Sequence, residues 1–266
     1  MAQQVLNGLP IWLSGASFVI IVGVTSYLGL MFVRRRFNYS ALQKHNEVGG
    51  VILQIIGTLY AVIIAFVVVI VWQAAGTADD RAAAEADTLG DLIRDAGLLP
   101  KAMREELQTK LRNYAQAVVN EEWPGMANGE SSQHVSDILS DLYKSFSAIQ
   151  PSTPREVNIH AQMLRNLDQL SSARRLRILS SKDKVPDLLW GELLLGGLIT
   201  VIFAFFFGVE RARPHALMAT ALAVMIGLTL FLILELDGPF SGGLRVQPEA
   251  LRLVLDKYGM PNYTGE

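Results

Sequence analysis

The chain has 266 residues, 51% of them hydrophobic and 18% charged, with a net charge of −2 and no cysteine. Its mean hydropathy of +0.31 exceeds that of an ordinary soluble domain, and the near-neutral charge speaks against a nucleic-acid partner. The absent cysteines exclude disulfides, thiolate metal sites and cysteine nucleophiles, and His45, His134, His160 and His215 lie too far apart in sequence to read as a metal or catalytic set.

Residues 1–10 form an amino-terminal tail without lysine or arginine. Residues 11–33 follow as an apolar run of 23 residues with no charged side chain, long enough as a helix to cross a hydrocarbon core of about 30 Å. Arg34, Arg35 and Arg36 follow the run rather than precede it. That is the wrong polarity for a cleaved signal peptide, so the segment is expected to be retained. A second span covers residues 48–75 and ends near Trp72, an interfacial residue type. Its β-branched stretch would suit a buried strand, but the run is too long for one.

Residues 77–186 are charged, mixed in sign and amphipathic at helical spacing. Met103, Leu107, Leu111, Tyr114 and Val118 recur every three or four positions, as do Val135, Ile138, Leu142, Phe146 and Ile149. Pro100, the Trp123-Pro124-Gly125 and Asn128-Gly129 turns, and Pro151 divide the segment into four predicted helices. Thr153-Pro154-Arg155-Glu156 reads as a capping box that opens the last of them. An apolar stripe of Val157, Leu164, Leu167, Leu170, Leu176 and Leu179 runs on toward Pro186. Third and fourth spans are predicted at residues 188–209 and 216–236, joined by the short loop from Glu210 to His215. The pattern predicts an all-α integral membrane protein. Spans one and two occupy residues 11–76, a soluble helical bundle is inserted at 77–186, spans three and four occupy 187–236, and a carboxy-terminal tail covers 237–266.

The second span carries Glu47, Gly50, Gln54, Gly57, Ala61, Ala65, Val68 and Trp72 at steps of three or four, so small and polar residues share one helix face. Such a face suits a pore wall or close packing of transmembrane backbones. Gly197, Thr200, Ala204 and Gly208, and Ala216, Thr220, Ala223 and Gly227, form similar stripes for which packing is the better reading. Glu192, Glu235 and Asp237 are acids expected near the membrane interface, where a helix-end carboxylate reaches headgroup water. The run Asp79, Asp80, Glu85, Asp87 and Asp91 reads as a solvated helix face, with a cation vestibule as its functional alternative. Arg174, Arg175 and Arg177 read as exposed charge or as partners for nearby acids. No phosphate loop, zinc motif, nucleophile elbow or kinase motif is present. Neither an enzyme nor a cofactor is expected.

From Gly57-Thr58-Leu59-Tyr60-Ala61-Val62 to Trp72, the second span resembles the bestrophin-like family of bacterial membrane proteins. The likeness continues in Glu85-Ala86-Asp87-Thr88-Leu89, Glu121-Glu122-Trp123-Pro124, Pro151-Ser152-Thr153-Pro154-Arg155-Glu156 and Leu188-Leu189-Trp190. It ends in Asp237-Gly238-Pro239-Phe240-Ser241-Gly242 and Val246-Gln247-Pro248-Glu249-Ala250, so that it covers roughly residues 45–258. The resemblance implies a homo-oligomer, pentameric by analogy with bestrophin anion channels, seated in the bacterial inner membrane and passing ions. Its pore would be lined by the second span, with Gly50, Gln54, Gly57, Ala61, Ala65 and Val68 as the lining candidates. The aromatic neck of bestrophins has no counterpart on this face. The acidic run of their calcium clasp is replaced by Gly243-Leu244-Arg245-Val246, so no calcium site is expected. A non-conducting scaffold or sensor, whose soluble domain binds a ligand or protein, is the alternative function. Arg34, Arg35, Arg36, Lys44, Arg211 and Arg213 place the short loops in the cytoplasm by the positive-inside rule, which leaves the soluble domain periplasmic. The family analogy implies the opposite orientation.

Overall fold

The computed structural model describes residues 10–258, and among them it is helical without strands. The helices are α1 (Ile11–Arg36), α2 (Tyr39–Gln43), α3 (Asn46–Ala96), α4 (Lys101–Ala117), α5 (Trp123–Met126), α6 (Gln133–Ser147), α7 (Pro154–Ser180), α8 (Asp187–Phe205), α9 (Ala212–Leu236) and α10 (Glu249–Lys257). Of these, α1, α3, α8 and α9 are long and apolar enough to cross a membrane. Apart from Pro10, the amino-terminal tail lies outside the described residues, as do residues 259–266 of the carboxy-terminal tail. The chain divides into two compact units. The first takes residues 10–73, 184–237 and 242–244, and the second takes 74–183, 238–241 and 245–258.

In the first unit α9 packs along α1. Glycines make that approach possible: a Cβ on Gly227 would come 3.2 Å from Val22, and one on Gly15 would come 3.2 Å from the Phe231 ring. Phe18 and Phe231 add a ring contact at 5.6 Å. Helix α3 meets α8 through Tyr60, whose ring would lie 2.6 Å from a Cβ on Gly196 and whose hydroxyl donates to the Leu193 carbonyl at 2.9 Å. Gly197, Thr200, Gly208, Ala216, Ala223 and Gly227 are buried, consistent with the packing role read for their stripes.

The third span is shorter than the hydropathy pattern predicts. Helix α8 stops at Phe205, and residues 206–211 form an irregular link before α9 begins at Ala212. Side chains from elsewhere supply hydrogen bonds that the broken backbone needs. The Asn46 amide donates to the Gly208 carbonyl at 3.0 Å and accepts from the Gly208 N–H at 2.9 Å. Arg34 donates to the carbonyls of Val209 at 2.7 Å and Glu210 at 3.0 Å. His215, expected in the loop, sits buried in the first turn of α9. Its Nε2 lies 3.1 Å from the Ala204 carbonyl and its Nδ1 3.2 Å from Arg34, so the ring carries its proton on Nε2 and accepts from the guanidinium.

The core of the second unit joins the 78–96 part of α3 to α4, α6, α7 and α10. The predicted stripes on α4 and α6 face it: Leu107, Leu111, Tyr114, Val118, Val135, Leu142 and Phe146 are buried, each large apolar side chain contributing roughly 1.5–3 kcal/mol. Residues after the fourth span complete this core. Phe240 stacks edge-on against Trp123 at 5.4 Å, and the Trp123 indole N–H donates to the Val246 carbonyl at 3.2 Å. The capping box forms as expected: Thr153 Oγ1 accepts from the Glu156 N–H at 3.2 Å, and Glu156 reaches back to the Ser152 N–H at 2.7 Å.

Three details correct the sequence reading. Trp123-Pro124-Gly125 is helical rather than a turn, because Pro124 falls in the first turn of α5, where an absent N–H leaves no bond unmade. The helix breaks later, in residues 127–132. At the carboxy-terminal end of α7, Leu176 and Leu179 are exposed while Arg174 and Arg177 are buried, reversing the expected apolar face. Finally, the helix whose stripe was predicted to run on toward Pro186 ends earlier, at Ser180, and α8 starts after Pro186 at its amino-terminal cap. By contrast, α3 runs unbroken for 51 residues.

Candidate functional site

The candidate lining residues lie on a face of α3 that the chain itself leaves uncovered. Gln54, Ala61 and Ala65 are exposed, and Gly50, Gly57 and Val68 are only half-buried. The side of the helix that turns inward carries Tyr60, Val67 and Val71, each under 10% exposed. A Cβ added at Gly50 or Gly57 would meet no atom within 4 Å, whereas the same addition at Gly196 or Gly197 collides with Tyr60. On this face Gly50 and Gly57 therefore do not serve packing among the described residues. The Thr58 hydroxyl donates to the Gln54 carbonyl at 2.8 Å, which satisfies the threonine along its own helix. The side-chain amide of Gln54 has no partner among the described residues. A primary amide facing hydrocarbon without a partner costs free energy, so this face calls for water or a polar neighbour.

The three candidate acids are placed differently from one another. Glu192 is exposed on α8. Glu235 is buried and accepts from the Gly243 N–H at 2.7 Å. Gly242 makes this turn possible, since its φ of +75° lies in the left-handed region and a Cβ there would press on the Glu235 carbonyl at 3.0 Å. Asp237 is also buried. It accepts from the Val185 N–H at 2.7 Å and from the Trp190 indole N–H at 3.0 Å. Glu235 and Asp237 thus organise the chain around the end of α9.

A charged cluster in the second unit pairs Arg174 and Arg177 with buried acids, one of the two readings of the basic run, and sets Glu85 apart from its exposed acidic neighbours. Glu85 and Arg177 have no exposed surface, and Glu122 is 1% exposed. Arg177 bridges the two acids, with Nε 2.5 Å from Glu85 Oε2 and Nη2 2.7 Å from Glu122 Oε1. Arg174 adds bonds to Glu122 at 2.5 and 3.1 Å and reaches the Ser136 hydroxyl at 3.0 Å. Tyr114 donates to Glu85 at 2.7 Å, and the Trp123 ring lies 5.1 Å from the Arg177 guanidinium carbon. Burial favours a neutral Glu122, but the hydrogen bonds and charge of Arg174 and Arg177 outweigh it and hold the carboxyl below the usual range. Burial, followed by the Glu85 charge, pushes the Tyr114 hydroxyl well up, so it remains a donor.

A π-helical stretch, Val118–Glu122, shapes this region. The added residue in a π turn shifts the helical face. Glu122 points inward to the arginines, while the neighbouring Glu121 lies 2.8 Å from His134 at the surface. Glu121 and His134, with Lys110, Asn113 and Asn120, line a polar cleft of about 480 Å³. Among the described residues, no three of His, Asp and Glu come together as a metal site.

A bestrophin-like domain model matches residues 19–251, and no curated protein matches the chain. Solved structures with the same fold include two point variants of a bacterial bestrophin homologue from Klebsiella pneumoniae. One has a TM-score of 0.70 at 14% identity, covering 91% of this chain and 99% of its own. The other has a TM-score of 0.70 at 15% identity, covering 93% and 99%. A further structure of a membrane protein has a TM-score of 0.69 at 15% identity, covering 91% and 99%. With the domain model spanning nearly nine-tenths of its length, the chain belongs to the bestrophin-like family.

Proposed function

We propose that this chain is the subunit of an oligomeric ion channel or pore whose wall is the Gly50, Gln54, Gly57, Ala61, Ala65 and Val68 face of α3. One observation carries the reading: an exposed Gln54 amide without a partner among the described residues, flanked by two glycines at which an added Cβ would meet none of them within 4 Å. Copies of the chain arranged about an axis would turn this face toward water, and the bestrophin analogy favours five of them. The charged segment 77–186 is then a soluble helical domain inserted between the second and third spans. The protein sits in the bacterial inner membrane, and the arginines of the short loops favour a periplasmic soluble domain. No enzymatic step is assigned to it.

Purified protein reconstituted in planar bilayers is expected to conduct, with Gln54→Leu and Ala61→Phe changing the size or selectivity of the current. Silent bilayers across salts, voltages and pH, with assembled protein demonstrated in them, would overturn the proposal. The polar cleft beside Glu121 and His134 favours a second reading, a non-conducting sensor whose soluble domain binds a ligand. A monomer in mild detergent would select that reading, because one copy offers no enclosed path for ions.

A further inference from the structure

The first unit holds an apolar groove of about 620 Å³ walled by α1 and α8 and floored by α9. Phe18, Gly29 and Phe32 supply one wall, Val201 and Phe205 the other, and Gly227 part of the floor. Two hydroxyls also line it, and both are satisfied by backbone carbonyls: Thr25 donates to Ile21 at 2.7 Å and Ser26 to Ala219 at 3.4 Å. The wall thus presents only hydrocarbon to an occupant. Along α8 the groove extends from Leu194 to Phe205, about 17 Å at 1.5 Å per residue, slightly more than one leaflet of a core about 30 Å thick.

One end of the groove is closed by Phe37 and Phe206, whose rings meet edge-on at 5.4 Å. Positive charge gathers there from two chain segments, 34–36 and 211–213. Arg34 is engaged by the carbonyls of Val209 and Glu210 and by His215. Arg35, Arg36, Arg211 and Arg213 are exposed and make no ion pair among the described residues. A groove matched to hydrocarbon, ending in uncommitted arginines, is complementary to a molecule with a long apolar tail and an anionic head.

We infer that this groove seats an acyl chain of an anionic phospholipid, with the headgroup phosphate held by Arg35, Arg36, Arg211 and Arg213. Basic pockets between membrane helices recognise lipid heads through the same combination of charge and enclosure. Lipid bound there would fill the space between α1 and α8 and stabilise their pairing.

The test uses the full-length protein, freed of native lipid, and native mass spectrometry with palmitoyl-oleoyl phosphatidylglycerol or phosphatidylcholine, which share their chains and differ in head charge. Wild-type protein is expected to retain phosphatidylglycerol preferentially, and Arg35→Gln with Arg36→Gln to reduce that preference by about tenfold. Thr25→Trp, which fills the groove, is expected to remove retention of both lipids while the arginines remain. If that variant fails to fold, Ile202→Phe at the groove rim gives the same readout. Equal retention of the two lipids by wild type, or a preference unchanged by the arginine pair, overturns the proposal. So does retention that survives the bulky groove variants. If the bulky variants instead dissociate an oligomer that holds no lipid, the occupant is another copy of the chain and the inference falls.

Discussion

The two units stabilise their buried polar groups by different means. In the first unit, polar side chains turn to the backbone: Asn46 to Gly208, Arg34 to Val209 and Glu210, Tyr60 to Leu193, Asp237 to Val185, Glu235 to Gly243. In the second, they turn to one another, with Arg177 and Arg174 set against Glu85 and Glu122. The difference follows from what each unit must satisfy. Apolar helices that break or turn leave N–H and C=O groups that lipid cannot serve, and a neutral or charged side chain closes the gap. A charged helical bundle can bury opposite charges together when every oxygen and nitrogen finds a partner, although each charge then depends on the others. The outward face of α3 follows neither rule within one chain, which is why it is the place to look for water or a neighbouring subunit.

The largest effect expected from this contrast is in the second unit. Arg177→Met leaves Glu85 and Glu122 buried without their bridge, and about 3–5 kcal/mol of stability should be lost. Denaturant unfolding followed by Trp123 fluorescence would measure it, and a loss below about 1 kcal/mol would break the proposed interdependence. In the first unit, Arg34→Met removes donors from two backbone carbonyls, with an expected loss of about 1–3 kcal/mol. Gly196→Ala should cost a similar 1–3 kcal/mol by driving a methyl into Tyr60. Acid should separate the units as well. Glu122 ionises at lower pH when folded than when unfolded, so the unfolded chain binds more protons in acid. Its contribution is whole above about pH 4.5 and falls away below that. Arg177→Met should flatten this part of the stability–pH profile, while Arg34→Met should leave it intact. The smallest effect belongs to Gly57→Ala, expected to change stability by no more than about 1 kcal/mol, since a methyl there meets nothing. A large loss would mean that the α3 face is packed after all.

The four long apolar helices were legible because length and absence of charge suffice to mark them. The capping box at Thr153 and the break at Pro100 were legible from single residue types. The carboxy-terminal end of α8 was not: the run from residue 193 to 209 carries no charge, and the side chains that hold the break, Asn46 and Arg34, lie far away in sequence. Nor was the buried cluster evident. Glu85 looked like one acid among several, although it shares a helix face with Ala78, Ala82, Ala86 and Leu89, and that juxtaposition was the available signal. Arg174 and Arg177 likewise continue the buried line of Met163, Leu167 and Leu170. Glu122 carried no such signal, because the π turn that aims it inward has no sequence period. At the candidate pore, the small-residue stripe was legible, but whether it packs depends on what stands opposite, which spacing alone does not reveal.

The clasp at the end of α8 also sets a schedule for biogenesis. Asn46 and Gly208 are 162 residues apart, and Arg34 and Val209 are 175 apart. A ribosome releases the first two spans long before it makes the residues that lock them, with the whole charged segment produced in between. Synthesis proceeds at roughly 5–20 residues per second, so α1 and α3 must wait about ten seconds or more in the bilayer for their partners. During that interval Asn46 and Arg34 have no Gly208, Val209 or Glu210 to bind, and the nascent protein depends on water, lipid heads or the insertion machinery to shelter them.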